Sequence, residues 1–140
     1  MQPVIDVTST PDPAERDAVM APLAAYNESK TGPSSYQLLA IFLRDPDDRR
    51  IIGGLWGRSF YDWLFIELLV IPETLRGQGL GSDLMRRAEA IARERGCTGI
   101  WLDTFEFQAR PFYEKLGFSV FGQIEDYPRG SSRYFLKKRL

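Results

Sequence analysis

The spacing of apolar residues changes several times along the chain, and each change marks an element. Val4 to Thr8 alternates apolar and polar, the period of a half-buried strand, and the Ser9-Thr10-Pro11-Asp12-Pro13 cluster ends it. In Ala14 to Tyr26, Val19, Met20, Leu23 and Ala24 share a helical face, with Pro22 expected to kink or divide the helix. Asn27 to Ser35, polar and rich in glycine and proline, reads as a loop. Tyr36 to Arg44 and Ile51 to Phe60 read as a hairpin reversing at Asp45-Pro46-Asp47-Asp48. Trp63 to Ile71 is almost wholly apolar, as a strand covered on both faces in mid-sheet should be; Glu67 is its one charge and Pro72 ends it. Leu80, Leu84, Ala88, Ile91 and Ala92 then fall on one helical face, and Gly96 stops that helix. Gly99 to Phe105 reads as a strand, Ala109 to Leu116 as a short helix, and Phe118 to Ile124 and Arg133 to Lys138 as closing strands. The order β-α-β-β-β-α-β-α-β-β predicts one mixed α/β domain over residues 1–140, a central sheet flanked by helices.

Composition narrows the chemistry. A chain of 140 residues, 44% hydrophobic and 26% charged, is long enough to bury a core without disulfides or metals. A net charge of -1 gives no global field towards nucleic acid or an anionic membrane, so neither is expected as a partner. The first residues lack the basic segment and apolar core of a secretory signal, and no apolar run has the length of a membrane span, so a soluble cytoplasmic protein is expected. There is no histidine, which removes Ser-His-Asp and Cys-His nucleophilic systems and histidine-bound metals. Cys97 is the single cysteine and reads as a small, half-buried thiol. No metal site is expected, and chemistry must rest on carboxylates, tyrosine, hydroxyls, backbone amides or a bound cofactor.

One segment is built for an anion. Leu68 to Ser82 runs from the apolar strand through Arg76-Gly77-Gln78-Gly79-Leu80-Gly81-Ser82 into an amphipathic helix. Glycines there let successive N–H groups point inward at the positive end of the helix, as a diphosphate requires, or they merely permit a tight turn; Arg76 beside them favours the anion. A Walker loop would need lysine before Ser82, and the dinucleotide motif would need glycine at Ser82.

Arg76-Gly77-Gln78-Gly79-Leu80-Gly81 resembles the Q/R-x-x-G-x-G/A acetyl-CoA signature of the GNAT superfamily of N-acetyltransferases. Downstream, Ala109-Arg110-Pro111-Phe112-Tyr113-Glu114-Lys115-Leu116-Gly117-Phe118 resembles the family's A-x-x-F-Y-x-K-x-G-F segment. Order and spacing agree, and the chain is similar to small, single-domain bacterial members of the family.

The resemblance implies an acetyl-CoA-dependent transfer of acetyl to a primary amine by direct attack in a ternary complex, with acetyl-CoA as cosubstrate and no metal. It sets the diphosphate on residues Arg76, Gly77, Gln78, Gly79, Leu80, Gly81 and Ser82, and pairs the pantetheine arm with the backbone of Leu69, Val70 and Ile71. Ala109 and Phe112 fall beside the cofactor, Phe112 chiefly as a packing residue. Tyr113 matches the general acid that protonates the departing thiolate. Where many members carry Asn, this chain has Glu106; Gln108 is a replacement for that amide, and Glu106 an acid that could face the acceptor.

For the base the sequence leaves two readings of Glu67. Either burial in the apolar strand tunes it for proton transfer, or it sits at a strand edge, paired with an arginine or facing solvent. Asp103, Glu106 and water are the other acceptors of the amine proton. Tyr26, Tyr36, Trp56, Phe60, Tyr61 and Trp63 form either an aromatic acceptor pocket or ordinary core. The acceptor is expected to be a small-molecule or peptide amine, and the protein a monomer or homodimer. A CoA-sensing module without turnover is the alternative, against which Tyr113 speaks.

Overall fold

The computed structural model describes residues 1–140 as two compact units, Met1–Ser34 and Ser35–Leu140. In the first, helix α1 spans Pro13–Thr31. Asp12 caps it: its N–H donates to Glu15 Oε1 at 2.8 Å, and the Glu15 N–H donates to the Asp12 carbonyl at 2.9 Å. Pro13 suits the first turn, where no donor is needed. Pro22 lies inside and costs one backbone donor without dividing the helix, which continues past Tyr26 to Thr31. Val4–Thr8 forms no strand. Alternation specifies which faces a strand would show, but a strand also needs a ladder partner, and Met1–Ser34 contains no second extended segment.

The second unit follows the expected order. Strands β1 (Gln37–Arg44), β2 (Ile51–Phe60), β3 (Trp63–Val70), β4 (Gly99–Phe105), β5 (Ser119–Glu125) and β6 (Ser132–Arg139) form one sheet in the order β1-β2-β3-β4-β6-β5. The pair β3–β4 is parallel and the rest are antiparallel. A parallel neighbour demands a crossover, which helix α2 (Leu80–Glu94) supplies; helix α3 (Arg110–Lys115) joins β4 to β5. Asp45 Oδ1 accepts from the Asp47 and Asp48 N–H groups to close the β1–β2 turn. Leu64, Ile66, Ile100, Leu102 and Leu136 of the sheet pack with Leu84, Met85, Ala88 and Ala92 of α2. Lys138 Nζ donates to Glu89 Oε2 at 3.1 Å, which ties the end of β6 to α2.

Strands β3 and β4 stay together only from Trp63↔Gly99 to Ile66↔Leu102. Beyond that, β3 follows β2 to Val70 and β4 follows β6 to Phe105. The divergence starts at a bulge. Gly57 opposes Ile66 and Trp56 opposes Leu68, which leaves Glu67 as the extra residue, and such an insertion bends and twists its strand. Gly57 permits the close approach there, since a β-carbon would run into the Phe65 carbonyl oxygen. The strand is therefore not covered along its whole length. Leu64, Phe65 and Ile66 are buried, whereas Leu68 and Val70 are 53% and 51% exposed because β4 has left.

Candidate active site

A cavity of about 940 Å³ fills the fork between the two strands. Its walls are β3 from Ile66 onward, the glycine turn and first residues of α2, the end of β4, the following loop and α3. Leu69, Val70, Ile71, Arg76, Gly77, Gly79, Leu80, Gly81, Ser82, Gln108, Ala109, Phe112, Tyr113 and Glu67 all line it. Gln78 does not: it is exposed and off the wall, as is Glu106, which brings no acid to the cavity.

The turn end of the cavity is short of hydrogen-bond acceptors. Gly79 caps α2 in the left-handed region, φ 81°, and no side chain caps the helix. The first bond back to the cap is from Asp83 N–H to the Gly79 carbonyl at 3.0 Å, so the N–H groups of Leu80, Gly81 and Ser82 have no helical acceptor. They stand at the positive end of a 15-residue helix, on the wall of a cavity. Arg76 Nε donates to the Ile71 carbonyl at 3.1 Å, which fastens the turn to the end of β3 and leaves its terminal nitrogens without a protein acceptor. Phe112 closes this end from α3; a β-carbon on Gly81 would lie 3.2 Å from its ring. Phe112 is thus both packing and wall. Along β3, the edge that β4 abandons presents alternate backbone N–H and carbonyl groups to the cavity.

Tyr113 lines the cavity from α3. Its ring is buried, 8% exposed, in edge contact with Phe112 (5.1 Å between centroids) and Phe118 (6.1 Å). Its hydroxyl makes no hydrogen bond within the protein and is not sealed off, so it opens to the cavity. Burial first, then the charge of Asp103, push this phenol up to about 12 from its ordinary 10.0. Gln108 uses its side-chain oxygen locally, accepting from the Phe105 N–H at 2.8 Å and Thr104 Oγ1 at 3.1 Å, and so has only its amide nitrogen to offer a ligand.

Two carboxylates stand at the crotch of the fork. Glu67 and Asp103 are the residues immediately after the last β3–β4 pair, one on each arm. Glu67 is not buried: its side chain is 46% exposed and accepts from Arg58 Nη1 at 3.3 Å, the edge-paired alternative of the sequence reading. The other reading had the apolar run bury it; the bulge and the fork expose it. Asp103 is the more enclosed acid, with a side chain 16% exposed. Arg133 Nε and Nη2 both donate to its Oδ1, at 2.9 and 2.6 Å, and Arg133 Nη1 donates to the Tyr127 hydroxyl at 2.8 Å. Burial alone would lower the Arg133 guanidinium, but its bonds to Asp103 and the charges of Asp103 and Tyr127 leave it raised. Arg58 and Arg133 are off the cavity wall while both carboxylates are on it.

Strand alternation puts these groups on different faces. Leu102 and Thr104 turn towards α2 and α3, so Asp103 and Phe105 turn the other way. Tyr36, Trp56, Phe60, Tyr61 and Trp63 line none of the cavity, since they sit on or before the hairpin end of β3 or, like Trp56, pack against Phe42. The aromatic wall is Phe107 with Phe112 and Tyr113. Phe107 and Arg133 were not singled out in the sequence; the alternation of Arg133, Phe135 and Lys137 with buried Ser132, Tyr134 and Leu136 was the available sign for Arg133. Burial raises the Cys97 thiol, as befits a packed thiol rather than a nucleophile.

Residues 7–118 match the acetyltransferase (GNAT) family model. The chain is 39% identical to an Agrobacterium fabrum acetyltransferase over 128 residues, 91% of this chain and 93% of that one. It is 44% identical over 91 residues to the blasticidin-S acetyltransferase of Streptomyces morookaense, 64% of this chain and 67% of the relative. Among solved structures, one from Agrobacterium tumefaciens superposes with a TM-score of 0.91 at 36% identity, covering 98% of this chain and 99% of that one. No helix is long and apolar enough to cross a membrane.

Proposed function

The chain belongs to the GNAT family of acetyltransferases, and from that premise we propose that it moves the acetyl group of acetyl-CoA directly onto a primary amine within a ternary complex. One observation carries the reading. The cavity is bipolar, with acceptor-poor amides and Arg76 at one end, two carboxylates at the other, and the free Tyr113 hydroxyl opening into it.

The N–H groups of Leu80, Gly81 and Ser82, with Arg76, hold the diphosphate of the cosubstrate. The abandoned edge of β3 at Leu69, Val70 and Ile71 pairs with the pantetheine amides as a further strand would, and one of its N–H groups polarises the thioester carbonyl. The amine attacks in its neutral form, since a protonated nitrogen has no lone pair. A C–N bond forms and the C–S bond breaks. Tyr113 donates from its hydroxyl to the departing sulfur, and with its phenol at about 12 it stays protonated throughout the neutral range. Glu67, on the cavity wall, accepts the amine proton directly or through water. The open hydroxyl of Tyr113 favours turnover over a module that only senses CoA. The acceptor is a small-molecule amine, in keeping with the name of the Streptomyces relative.

Titration calorimetry of the folded protein with acetyl-CoA, CoA and NAD tests the first step. Saturable acetyl-CoA and CoA binding without NAD binding is expected. A folded sample that takes up no acetyl-CoA would overturn the reading.

A further inference from the structure

The far side of the fork carries an aromatic surface that the transfer reaction itself does not use. Phe107 lies on the cavity wall yet is 68% exposed, in the loop that follows β4. One face of its ring is backed by Phe105, nearly parallel at 4° with centroids 5.2 Å apart. Phe105 is in turn held by the Tyr127 ring at 5.5 Å and by the Arg133 guanidinium, 5.3 Å from its centroid. The platform is therefore braced from behind and open in front. Because Phe105 and Asp103 share the face opposite α2 and α3, the platform and the carboxylate lie together on the side away from the diphosphate-binding amides. Arg133 ties the two, since it occupies Oδ1 of Asp103 while lying over Phe105. Asp103 Oδ2 accepts no bond in the protein and is not sealed off.

The geometry points to an acceptor subsite for a primary amine carried on a flat aromatic body, with Phe107 as the stacking platform and Asp103 as the counter-charge for the ammonium. The inference rests on the acetyl-transfer reading and specifies its second substrate. An exposed phenylalanine alone signals nothing, because soluble proteins expose many apolar side chains. Here the ring is braced, borders the cavity and sits with an enclosed carboxylate whose second oxygen is free, and a stack is the arrangement a braced aromatic face offers a planar ligand.

The test compares 2-phenylethylamine with hexylamine, each with saturating acetyl-CoA, in the wild-type protein and in Phe107→Leu. Leucine keeps an apolar side chain and removes the stack, and an exposed site leaves the core intact. Wild type should favour the aromatic amine by about tenfold in kcat/KM, and the variant should bring that ratio close to one. Asp103→Asn should raise KM for both amines about tenfold while the acetyl-CoA Kd stays as it was. Equal use of the two amines by wild type overturns the inference, as does a ratio that Phe107→Leu leaves unchanged. A higher acetyl-CoA Kd in Phe107→Leu would assign the ring to the cosubstrate and overturn it as well. These failures are separate from that of the acetyl-transfer reading, which shows itself in absent acetyl-CoA binding and takes the inference with it.

Discussion

Replacing Tyr113 by Phe removes one oxygen and leaves the packing in place. The ring keeps its edge contacts with Phe112 and Phe118, and the lost hydroxyl had no protein partner, so stability should change by no more than about 1 kcal/mol. The catalytic loss follows from the acidity of the phenol. General acids contribute about 10²- to 10⁴-fold, most when their pKa lies near the working pH. Tyr113, at about 12, is reliably protonated but a weaker acid than a thiol of about 8.5, so it lends a hydrogen bond to the developing thiolate more readily than a whole proton. The low end applies, about 10²-fold in kcat or about 2.7 kcal/mol of transition-state stabilisation. The assay is CoA thiol release at saturating acetyl-CoA and amine, with acetyl-CoA affinity measured by calorimetry on the same samples. Expected are the loss in kcat and a Kd within about twofold of wild type, because the hydroxyl contributes to the transition state and little to the ground state. A variant that turns over as wild type does would refute the acid role, whatever its affinity.

Glu67→Gln should cost less than about 1 kcal/mol of stability, because its pair with Arg58 is exposed, and should lower kcat/KM about 10²-fold; an unchanged kcat/KM in the folded variant excludes it as base. Gly79→Ala puts a β-carbon at φ 81° and should destabilise by about 1–2 kcal/mol, read as a lower urea midpoint, with a stability equal to wild type arguing against the observed cap. Gly81→Ala should weaken acetyl-CoA binding by pressing on Phe112, 3.2 Å away, and calorimetry showing undiminished affinity would separate that ring from the cosubstrate site. Alkaline stability follows from Tyr113: its folded value of about 12 exceeds its ordinary 10.0, so the native state holds a proton that the unfolded chain releases between these values. That contribution is fully present below pH 10 and is lost as pH rises to about 12, by roughly 3 kcal/mol at most, whereas Tyr113→Phe has nothing to lose, so the small difference between the two at neutral pH should reverse and leave the variant the more stable.

The elements from β1 onward were legible because their signals are local. Asp45-Pro46-Asp47-Asp48 encodes its own turn, Leu84, Ala88 and Ala92 encode a helical face, and the glycine turn falls between an apolar strand and that helix. The glycine-turn end of the cavity was legible for the same reason, since backbone amides at a helix start need only the turn that the motif spells out. Pro22 does not divide its helix, which runs on to Thr31 through residues whose composition reads as a loop. Val4–Thr8 misled in the other direction: two-residue alternation is local, but the ladder that makes a strand is not.

The carboxylate end depended on a property that no local pattern holds. In Trp-Leu-Phe-Ile-Glu-Leu-Leu-Val, from Trp63 to Val70, a lone carboxylate amid apolar residues suggests burial, and the inference would hold if β4 flanked β3 throughout. The bulge opposite Gly57 ends that partnership at Ile66, so the same residues that bury the first half of the strand leave the second half open. Glu67 becomes the exposed acid and Asp103, in a strand that reads as ordinary alternation, the enclosed one. The divergence that unburies Glu67 is also what creates the cavity and frees the β3 edge for a ligand. The strand's apolar run and its exposed tip are thus two consequences of one displaced register, and the cavity sits where the regular sheet stops.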